Sequence, residues 1–391
     1  MDFSKYIADR VLDIPRSGIR DFFEVVQTMT DVISLGIGEP DYVTPWRIRE
    51  AAIFAMEKGK TGYTSNLGTA KLRQAIAKYL ERRVGIVYRP DTEVLVSVGV
   101  SEALDLALRA LLNPGDEVIY HEPSYVSYNP SIALCHAKPV SVQTSAAHEF
   151  RVLADQIEHA VTPRSKAILL SYPTNPTGGV LRATDLEPIA DICCRHDLIV
   201  LSDEIYSELV YDGTEHVSIA SLPGMKEWTV LLNGCSKSYA MTGFRVGYAC
   251  APGPIIEAMM KIHQYAIMCA SNMSQEAAIE ALENCQHEVE MMRSDYERRR
   301  NFVVNRLNEI GLPCHLPKGA FYAFPSIAPT GLTSKEFSLQ LLKSKRVAVV
   351  PGSAFGSPGE GFVRCCFATG LDKLKVAMDR VEQFVGELRR S

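Results

Sequence analysis

Three apolar runs in the middle of the chain each end at polar residues, and this arrangement constrains the fold most strongly. The runs are Lys166–Ser171, Leu198–Ser202 and Thr229–Asn233, and their length and composition are typical of buried strands. Helical patterns fill the intervals, for example over 185–196. Strands that alternate with helices indicate a mostly parallel sheet covered by helices. Such sheets bind ligands at the carboxyl ends of their strands.

The alternation extends over most of the chain and predicts an α/β fold. Further strand-like runs lie at 94–98, 117–120, 139–142 and 245–251, with an amphipathic helical pattern at about 102–112. Beyond Pro254 we expect a long helix at 287–308, strands at 320–324, 347–350 and 362–367, and helices at 334–343 and 372–388. We therefore predict an N-terminal arm with the start of a small domain (1–45), a large sheet domain (46–285) and a small C-terminal α+β domain (286–391).

Composition excludes several other classes of protein. The chain has 391 residues and a net charge of −5, and the absence of a long basic run argues against a nucleic-acid partner. No apolar stretch has the length of a membrane span, and the first residues lack a signal-peptide pattern. The ten cysteines have no Cys-x-x-Cys spacing, which favours reduced structural thiols over a metal site or disulfides. We predict a cytoplasmic protein without a metal site and with no membrane partner.

The polar residues after the three runs offer complementary chemistry. Segment 175–178 (Asn-Pro-Thr-Gly) follows the first run, 203–206 (Asp-Glu-Ile-Tyr) the second, and Ser236-Lys237 with Arg245 the third. Together they supply an amine that can form an imine, a carboxylate for a ring nitrogen, and a hydroxyl with a guanidinium for a phosphate. Pyridoxal 5′-phosphate (PLP) needs all of these partners at once. We therefore predict that the large domain binds PLP.

Each residue of this set has a distinct predicted role. Lys237 would form the imine and then move a proton as a general acid and base. Asp203 would pair with the pyridine nitrogen and keep it protonated, although a helix cap or a structural ion pair is the alternative for this residue. Tyr206 and Asn175 can both bond the phenolic oxygen of the ring.

A phosphate needs several donors, and two segments provide them. Ser236 and Arg245 flank the lysine, and the fork of Arg245 matches phosphate oxygens. The segment 99–102 (Gly-Val-Ser-Glu) opens a helix after a strand and exposes backbone N–H groups. An ordinary helix start with a serine cap is the alternative there.

Two further residues concern the substrate and the ring face. Arg364 lies within the apolar strand 362–367, where a buried charge needs a partner. The α-carboxylate of a substrate would be a suitable bidentate partner, and an internal salt bridge is the alternative. Tyr125 could stack on the face of the cofactor ring.

At this point the sequence resembles the class I/II aminotransferases of the fold-type I PLP enzymes, over nearly the whole chain. The matching motifs are Gly36-Ile-Gly-Glu-Pro-Asp41, Gly62-Tyr63-Thr64, Asn175-Pro-Thr-Gly178, Ser202-Asp-Glu-Ile-Tyr206, Ser236-Lys-Ser238, Gly243-Phe-Arg-Val-Gly247, Gly319-Ala-Phe-Tyr322 and Phe362-Val-Arg364. As a set, these motifs are specific for the fold and the cofactor.

The resemblance implies a role for each matching residue. The implied catalytic residues are Lys237, Asp203 and Tyr206. The implied cofactor contacts are these three with Tyr63, Val100, Ser101, Glu102, Tyr125, Asn175, Ser236 and Arg245. The implied substrate contacts are Gly38, Asn175 and Arg364. Tyr63 is similar to the residue that reaches the phosphate of the neighbouring subunit, which implies a homodimer with shared active sites.

The resemblance also bears on the reaction. It implies ping-pong transfer of an amino group from an L-amino acid to a 2-oxo acid, with 2-oxoglutarate as the expected acceptor. Ser101 stands where some aspartate-using members place a lysine, and Tyr125 stands where those members place a tryptophan. We therefore expect aromatic, broad or diaminopimelate-type side-chain preference.

Several other activities stay open from the residues. One is an aspartate aminotransferase. A second is a PLP-dependent carbon–sulfur lyase acting by β-elimination, or a ring-forming synthase. A third is a non-catalytic regulatory domain, against which the retention of Lys237 and Asp203 speaks.

Overall fold

The computed structural model describes residues 3–14 and 29–390. Its strands are β1 Ile33–Ser34, β2 Val94–Ser97, β3 Glu117–Glu122, β4 Lys138–Gln143, β5 Ser165–Ser171, β6 Ile199–Asp203, β7 Thr229–Gly234, β8 Gly247–Cys250, β9 Tyr322–Ala323, β10 Val347–Ala348, β11 Val350–Pro351 and β12 Val363–Cys366. Its α-helices are α1 Asp9–Leu12, α2 Trp46–Glu57, α3 Ala70–Val84, α4 Gly99–Leu111, α5 Tyr128–Leu134, α6 Ala154–Ala160, α7 Ala183–Arg195, α8 Gly253–Ala266, α9 Asn272–Asn284, α10 Gln286–Ile310, α11 Ser334–Lys345 and α12 Leu371–Leu388.

A seven-stranded sheet forms the centre of the molecule, in the order β2-β8-β7-β6-β5-β3-β4. The pairs from β7 to β4 are parallel, whereas β8 runs antiparallel to both of its neighbours. The residues of β2, β7 and β8 are buried throughout, because helices cover both faces of such a sheet. The predicted α/β class with a mostly parallel sheet is confirmed.

The parallel strands bring their carboxyl ends to one edge of the sheet. In the paired register Ser171 of β5 lies opposite Asp203 of β6, and Asp203 lies opposite Leu232 of β7. Residues that follow these strands therefore meet at this edge. Helices α4 and α8 pack together on one face of the sheet, while α7 contributes to the core on the other face.

The C-terminal part has its own small sheets. Strands β11, β12 and β9 form an antiparallel sheet, and β1 pairs in parallel with β10. Their core contains Phe337 and Phe384 and extends to Leu209 of the large sheet region. Because β1 belongs to the N-terminal segment, this segment is tied to the C-terminal part. The domain boundaries at 45 and 285 stay predictions.

Some element bounds differ from the predicted ones. Helix α4 begins at Gly99 rather than near 102, because Gly99 adopts φ = +73° and turns the chain directly into the helix. The run 347–350 forms two short strands with different partners. The predicted arm is described only in part: 3–14 contains a short 3₁₀ turn and α1, and 1–2 and 15–28 lie outside the described residues. None of the helices in the described ranges is both long and apolar enough to cross a membrane.

Candidate active site

A cavity of about 770 Å³ lies at the carboxyl edge of the central sheet. Most of the predicted site residues line it, although they come from widely separated parts of the chain. Those in the lining are Gly38, Val100, Ser101, Tyr125, Asn175, Asp203, Tyr206, Ser236, Lys237, Arg245 and Arg364. The sheet topology explains this convergence, since strands β5, β6 and β7 and helix α4 all deliver polar residues to the same edge.

Two predicted residues do not have side chains in this cavity. The Glu102 carboxylate accepts a hydrogen bond from the Val98 amide and lies 2.8 Å from Nδ1 of His263. The Glu102 side chain therefore caps the N-terminus of α4. Only the backbone of Glu102 belongs to the predicted phosphate site. Tyr63 is 82% exposed and is outside the cavity lining.

Lys237 contributes an amine to the cavity. Its Nζ donates a hydrogen bond to the carbonyl oxygen of Gly38 at 2.7 Å. Burial lowers the pKa of this amine to about 8, because desolvation disfavours the charged form. A substantial fraction of the lysine is therefore neutral near pH 8, which is the form that can attack a carbonyl group.

Asp203 is a buried carboxylate at the end of β6. It accepts a hydrogen bond from Tyr128 Oη at 2.7 Å and one from the backbone amide of Ile205 at 3.2 Å. Among the described residues, no lysine or arginine forms a salt bridge with it. Burial raises the pKa of this carboxyl to about 6, which is the expected effect of desolvation on an acid. A positively charged ligand group next to Asp203 would supply the missing partner.

The start of α4 and the Arg245 loop are packed against each other. Arg245 adopts a left-handed backbone conformation, with φ = +52°, and its guanidinium lies where a Cβ on Gly99 would have to be. Gly99 is therefore required both for its positive φ and for the close approach of this guanidinium. Arg245 donates to the carbonyl of Thr242 at 3.1 Å, and the hydroxyl-bearing Ser236 lies in the same lining. Together with the α4 N-terminus, these donors form a cradle suited to a phosphate.

Arg364 is buried without a carboxylate partner among the described residues. Its Nη1 donates to Asn175 Oδ1 at 2.8 Å and its Nη2 donates to the carbonyl of Gly36 at 2.6 Å, while its buried Nε has no hydrogen-bond partner. The backbone of Gly38, predicted to lie near the substrate, accepts a hydrogen bond from Lys237 through its carbonyl oxygen. Within the described residues, hydrogen bonds rather than an internal salt bridge hold Arg364. A bound carboxylate would compensate its charge.

Tyrosine side chains complete the walls of the cavity. Tyr206 is buried, and its hydroxyl lies 2.8 Å from the hydroxyl of Tyr322. Tyr322 also faces Arg364, whose Cζ lies 4.5 Å from the ring centroid. Tyr125 is 38% exposed and contacts Tyr128 edge to face, with ring centroids 5.6 Å apart. Tyr125 can therefore present a ring face to a ligand.

Sequence reasoning missed Tyr128 and Ser171 and gave Tyr322 no role. Tyr322 ends the motif at 319–322, and Tyr128 follows Tyr125 by three residues. Tyr125 precedes α5 and Tyr128 begins it, so helical spacing does not relate the two side chains, and no local pattern identifies Tyr128. Ser171 is the last residue of a predicted strand, and its hydroxyl offers no such pattern either.

Comparisons with known proteins identify the family of this chain. The profile of the family "Aminotransferase class I and II" matches residues 30–381. An aspartate aminotransferase of Pyrococcus abyssi is 49% identical over 97% of this chain and 98% of its own length. An aromatic-amino-acid aminotransferase of Thermococcus litoralis is 46% identical over 97% of this chain and 98% of its own length. The crystal structure of the aromatic aminotransferase from Pyrococcus horikoshii OT3 superposes with a TM-score of 0.90 and 49% identity, covering 94% of this chain and 99% of that chain.

The fold and the cavity thus define a fold-type I enzyme of amino-group transfer. The chain belongs to the class I and II aminotransferase family, and its activity is that of an aminotransferase. Members of this family use PLP as their cofactor.

Proposed function

We propose that this aminotransferase holds PLP in the cavity at the carboxyl edge of the sheet and uses the predicted residues in their predicted roles. The observation that carries the proposal is that Lys237 and Arg364 face one cavity, and that neither has a carboxylate partner among the described residues. An amine and a guanidinium left available in one site suit a ligand that brings both a carbonyl group and a carboxylate.

The chemistry of the site follows from these groups. When bound, PLP supplies an aldehyde that takes up amines and a ring that accepts electrons. Lys237 offers a neutral amine and can carry a proton on Nζ to and from the substrate α-carbon. The carboxylate of Asp203 can hold the proton on the ring nitrogen, and Asn175 and Tyr206 can bond the phenolic oxygen.

The remaining residues bind and orient. Ser236, Arg245 and the backbone N–H groups of 100–102 can hold the phosphate, and Tyr125 can stack on the ring. Arg364 can bind the substrate α-carboxylate with its planar fork. The reaction then proceeds in two halves: one amino acid gives up its amino group and leaves as a 2-oxo acid, and a second 2-oxo acid collects the group.

We propose that the enzyme prefers aromatic side chains, accepts a broad range of side chains, or acts on diaminopimelate-type substrates. The lysine and arginine residues in the cavity lining are Lys237, Arg245 and Arg364, and each already has a proposed partner. An acidic side chain therefore finds no further cation from the described part of this chain. Apolar Ile37 and aromatic Tyr125 lie in the same lining and suit an uncharged side chain.

Aspartate aminotransferase is the second candidate, since the Pyrococcus abyssi relative has that name. A screen of about twenty amino acids against several 2-oxo acids separates the two candidates by their ratio of kcat/KM. We expect phenylalanine or tyrosine to exceed aspartate with 2-oxoglutarate as acceptor. A value of kcat/KM for aspartate far above the values for phenylalanine and tyrosine would favour the second candidate over our proposal.

Covalent mapping tests the cofactor proposal. The protein is loaded with PLP, reduced with borohydride, digested and analysed by mass spectrometry. We expect the cofactor mass on the peptide that contains Lys237, and no adduct in the Lys237→Ala variant. A fully loaded protein without this modified peptide would overturn the proposal.

We also propose a homodimer in which Tyr63 enters the site of the neighbouring subunit. Large apolar side chains are exposed on α2 and in the last turn of α8, namely Trp46, Phe54 and Tyr265, at 56%, 56% and 87% exposure. Tyr63 is also exposed, at 82%. Contact with a second copy would bury these groups, which is the normal role of an apolar surface of this kind.

Subunit complementation tests the shared site. The variants Tyr63→Ala and Lys237→Ala should both be nearly inactive, but mixed dimers contain one site with both native residues. Random exchange should restore roughly a quarter of the wild-type activity. A mixture that stays inactive although mixed dimers form, as shown by differently tagged subunits, would contradict a shared site.

We retain the cytoplasmic location as a proposal. It is supported by the ten cysteines, none of which forms a disulfide and most of which are buried, as is usual for proteins of a reducing compartment. Cell fractionation with an antibody to the protein would test it, and recovery outside the cytoplasmic fraction would contradict it.

A further inference from the structure

A buried chain of hydroxyl groups lies beneath Asp203. The hydroxyl of Tyr128 is 2.7 Å from Asp203 Oδ2 and 2.8 Å from Ser171 Oγ. Tyr128 is 2% exposed, Ser171 3% and Asp203 7%, so water has little access to this chain. The three residues come from α5, β5 and β6, three separate elements that meet only in the folded protein.

The direction of the hydrogen bonds follows from the charge of Asp203. An ionised carboxylate only accepts hydrogen bonds, and a phenol has a single proton to donate. Tyr128 therefore donates to Asp203, and the Ser171 hydroxyl can in turn donate to Tyr128 Oη. Burial of Tyr128 raises its pKa well above the usual value, so that the phenol keeps this proton at all working pH values.

Tyr128 is also the only side chain seen to donate to Asp203 within the described residues. The other hydrogen bond to this carboxylate comes from a backbone amide, that of Ile205. The edge of the Tyr128 ring contacts Tyr125, the residue proposed to stack on the cofactor. Tyr128 thus contacts both Asp203 and Tyr125, the two residues proposed to contact the cofactor ring.

We propose that Tyr128 is a positioning residue, which holds Asp203 ionised and correctly aimed so that the ring-nitrogen proton stays on the cofactor, and that Ser171 orients the Tyr128 hydroxyl. This inference rests on the proposed function. The physical reason is that a donor next to a carboxylate lowers its affinity for a proton. Without that donor, the proton shared between Asp203 and the ring nitrogen moves toward the carboxylate.

The test uses Tyr128→Phe, which keeps the ring and its contact with Tyr125 and removes only the hydroxyl. The enzyme is loaded with PLP labelled with ¹⁵N in the ring, and the nitrogen resonance is recorded. We expect the resonance to shift toward the unprotonated form and kcat to fall about 10- to 100-fold, with KM changed far less. Ser171→Ala should act in the same direction with a smaller effect, and it replaces Tyr128→Phe if that variant does not fold.

Two controls separate positioning from packing. Tyr79 is another buried tyrosine that donates to a buried carboxylate, Glu208, at 2.5 Å, and it is outside the cavity lining. Tyr79→Phe should leave the ring-nitrogen resonance unchanged. In the Asp203→Asn background, Tyr128→Phe should have an effect on kcat of less than about twofold, because the carboxylate through which it acts is gone.

The outcomes are distinct. A normal wild-type resonance that is identical in Tyr128→Phe, or a loss of kcat that persists at full size in the Asp203→Asn background, would overturn the inference and leave the proposed function standing. A wild-type protein that takes up no PLP and gives no ring-nitrogen signal would overturn the proposed function, and this inference with it.

Discussion

Asp203 and Glu117 are both buried carboxylates of the central sheet, at opposite ends of their strands. Asp203 ends β6 at the carboxyl edge, whereas Glu117 begins β3 at the amino edge. Glu117 accepts hydrogen bonds from the Thr162 hydroxyl, Lys138 and Arg164. Asp203 has hydrogen-bond donors, but no lysine or arginine of the described ranges forms a salt bridge with it.

The two environments move the two pKa values in opposite directions. The Thr162 hydroxyl and the two cations hold the pKa of Glu117 at about 2, whereas burial raises the pKa of Asp203 to about 6. Burial alone therefore does not decide the charge of a carboxylate, because its partners do. At the amino edge Glu117 belongs to an ion network that stabilises the fold. At the carboxyl edge we propose that Asp203, Lys237 and Arg364 obtain their charged partners from a ligand.

The strongest effect on activity is expected for Lys237→Ala at the carboxyl edge. The substitution removes the amine that we propose as the imine-forming group and the proton carrier. Transamination should therefore fall at least about 10⁴-fold. A coupled assay for the 2-oxo acid product measures this loss. The apoenzyme should still fold, since the amine bonds the Gly38 carbonyl and no carboxylate in the described part of the chain, and circular dichroism serves as the control. Residual activity within tenfold of wild type would contradict the role of Lys237.

Asp203→Asn should have the next largest effect and should also stabilise the apoenzyme. Activity should fall about 10³-fold, because a neutral amide cannot hold the ring nitrogen protonated. The raised pKa of Asp203 means that folded apoenzyme binds more protons than unfolded chain between about pH 4 and pH 6. Stability is therefore lost as the pH rises through this window.

The Asp203→Asn variant should not lose stability as the pH rises through this window. At pH 8 its apoenzyme should be more stable than wild type by up to about 3 kcal/mol, the value of about two pKa units. Urea unfolding of both apoproteins at pH 4, 6 and 8 measures the difference. Parallel pH profiles for the two proteins would show that folding does not raise the pKa of Asp203.

Arg364→Lys tests whether Arg364 binds the α-carboxylate of the substrate. Lysine keeps the charge but loses the planar fork, so we expect KM for the amino acid to rise about 100-fold with a smaller change in kcat. Steady-state kinetics with an amino acid and with its amine analogue lacking the carboxylate check the assignment. Wild type and variant should both turn over the analogue equally poorly. A variant that prefers the amino acid over the analogue as strongly as wild type does would refute the role of Arg364.

Glu117→Gln should have the smallest effect on activity and a clear effect on stability. We expect kcat and KM within twofold of wild type, and a loss of about 2 kcal/mol at pH 7 from the broken ion network. The lowered pKa of Glu117 provides stability above its ordinary value of 4.5, which is lost as the pH falls toward about 2. Acid unfolding should therefore become less steep in the variant. A large loss of activity with normal stability would reverse our comparison of the two edges.

The central sheet and much of its ligand edge could be predicted from the sequence. Runs such as Leu198–Ser202 and Thr229–Asn233 are continuous and apolar, and local composition is sufficient to identify strands that are buried on both faces. The polar residues that follow these strands were predictable for the same reason, because parallel strands end at one edge. The cavity lining contains Asp203, Ser236 and Lys237 together, as this rule requires.

Tertiary structure alone decided the partners of the buried charges. Arg364 meets Asn175 across 189 positions of sequence, and Tyr128 meets Asp203 across 75. The Gly38 carbonyl accepts a hydrogen bond from Lys237, and the Glu102 side chain contacts His263. Such contacts depend on angstrom-scale packing of helices and strands from distant segments, and no local pattern records that packing. The sequence thus determined which chemical groups reach the site, and the packed fold determined which of them are left unpaired for a ligand.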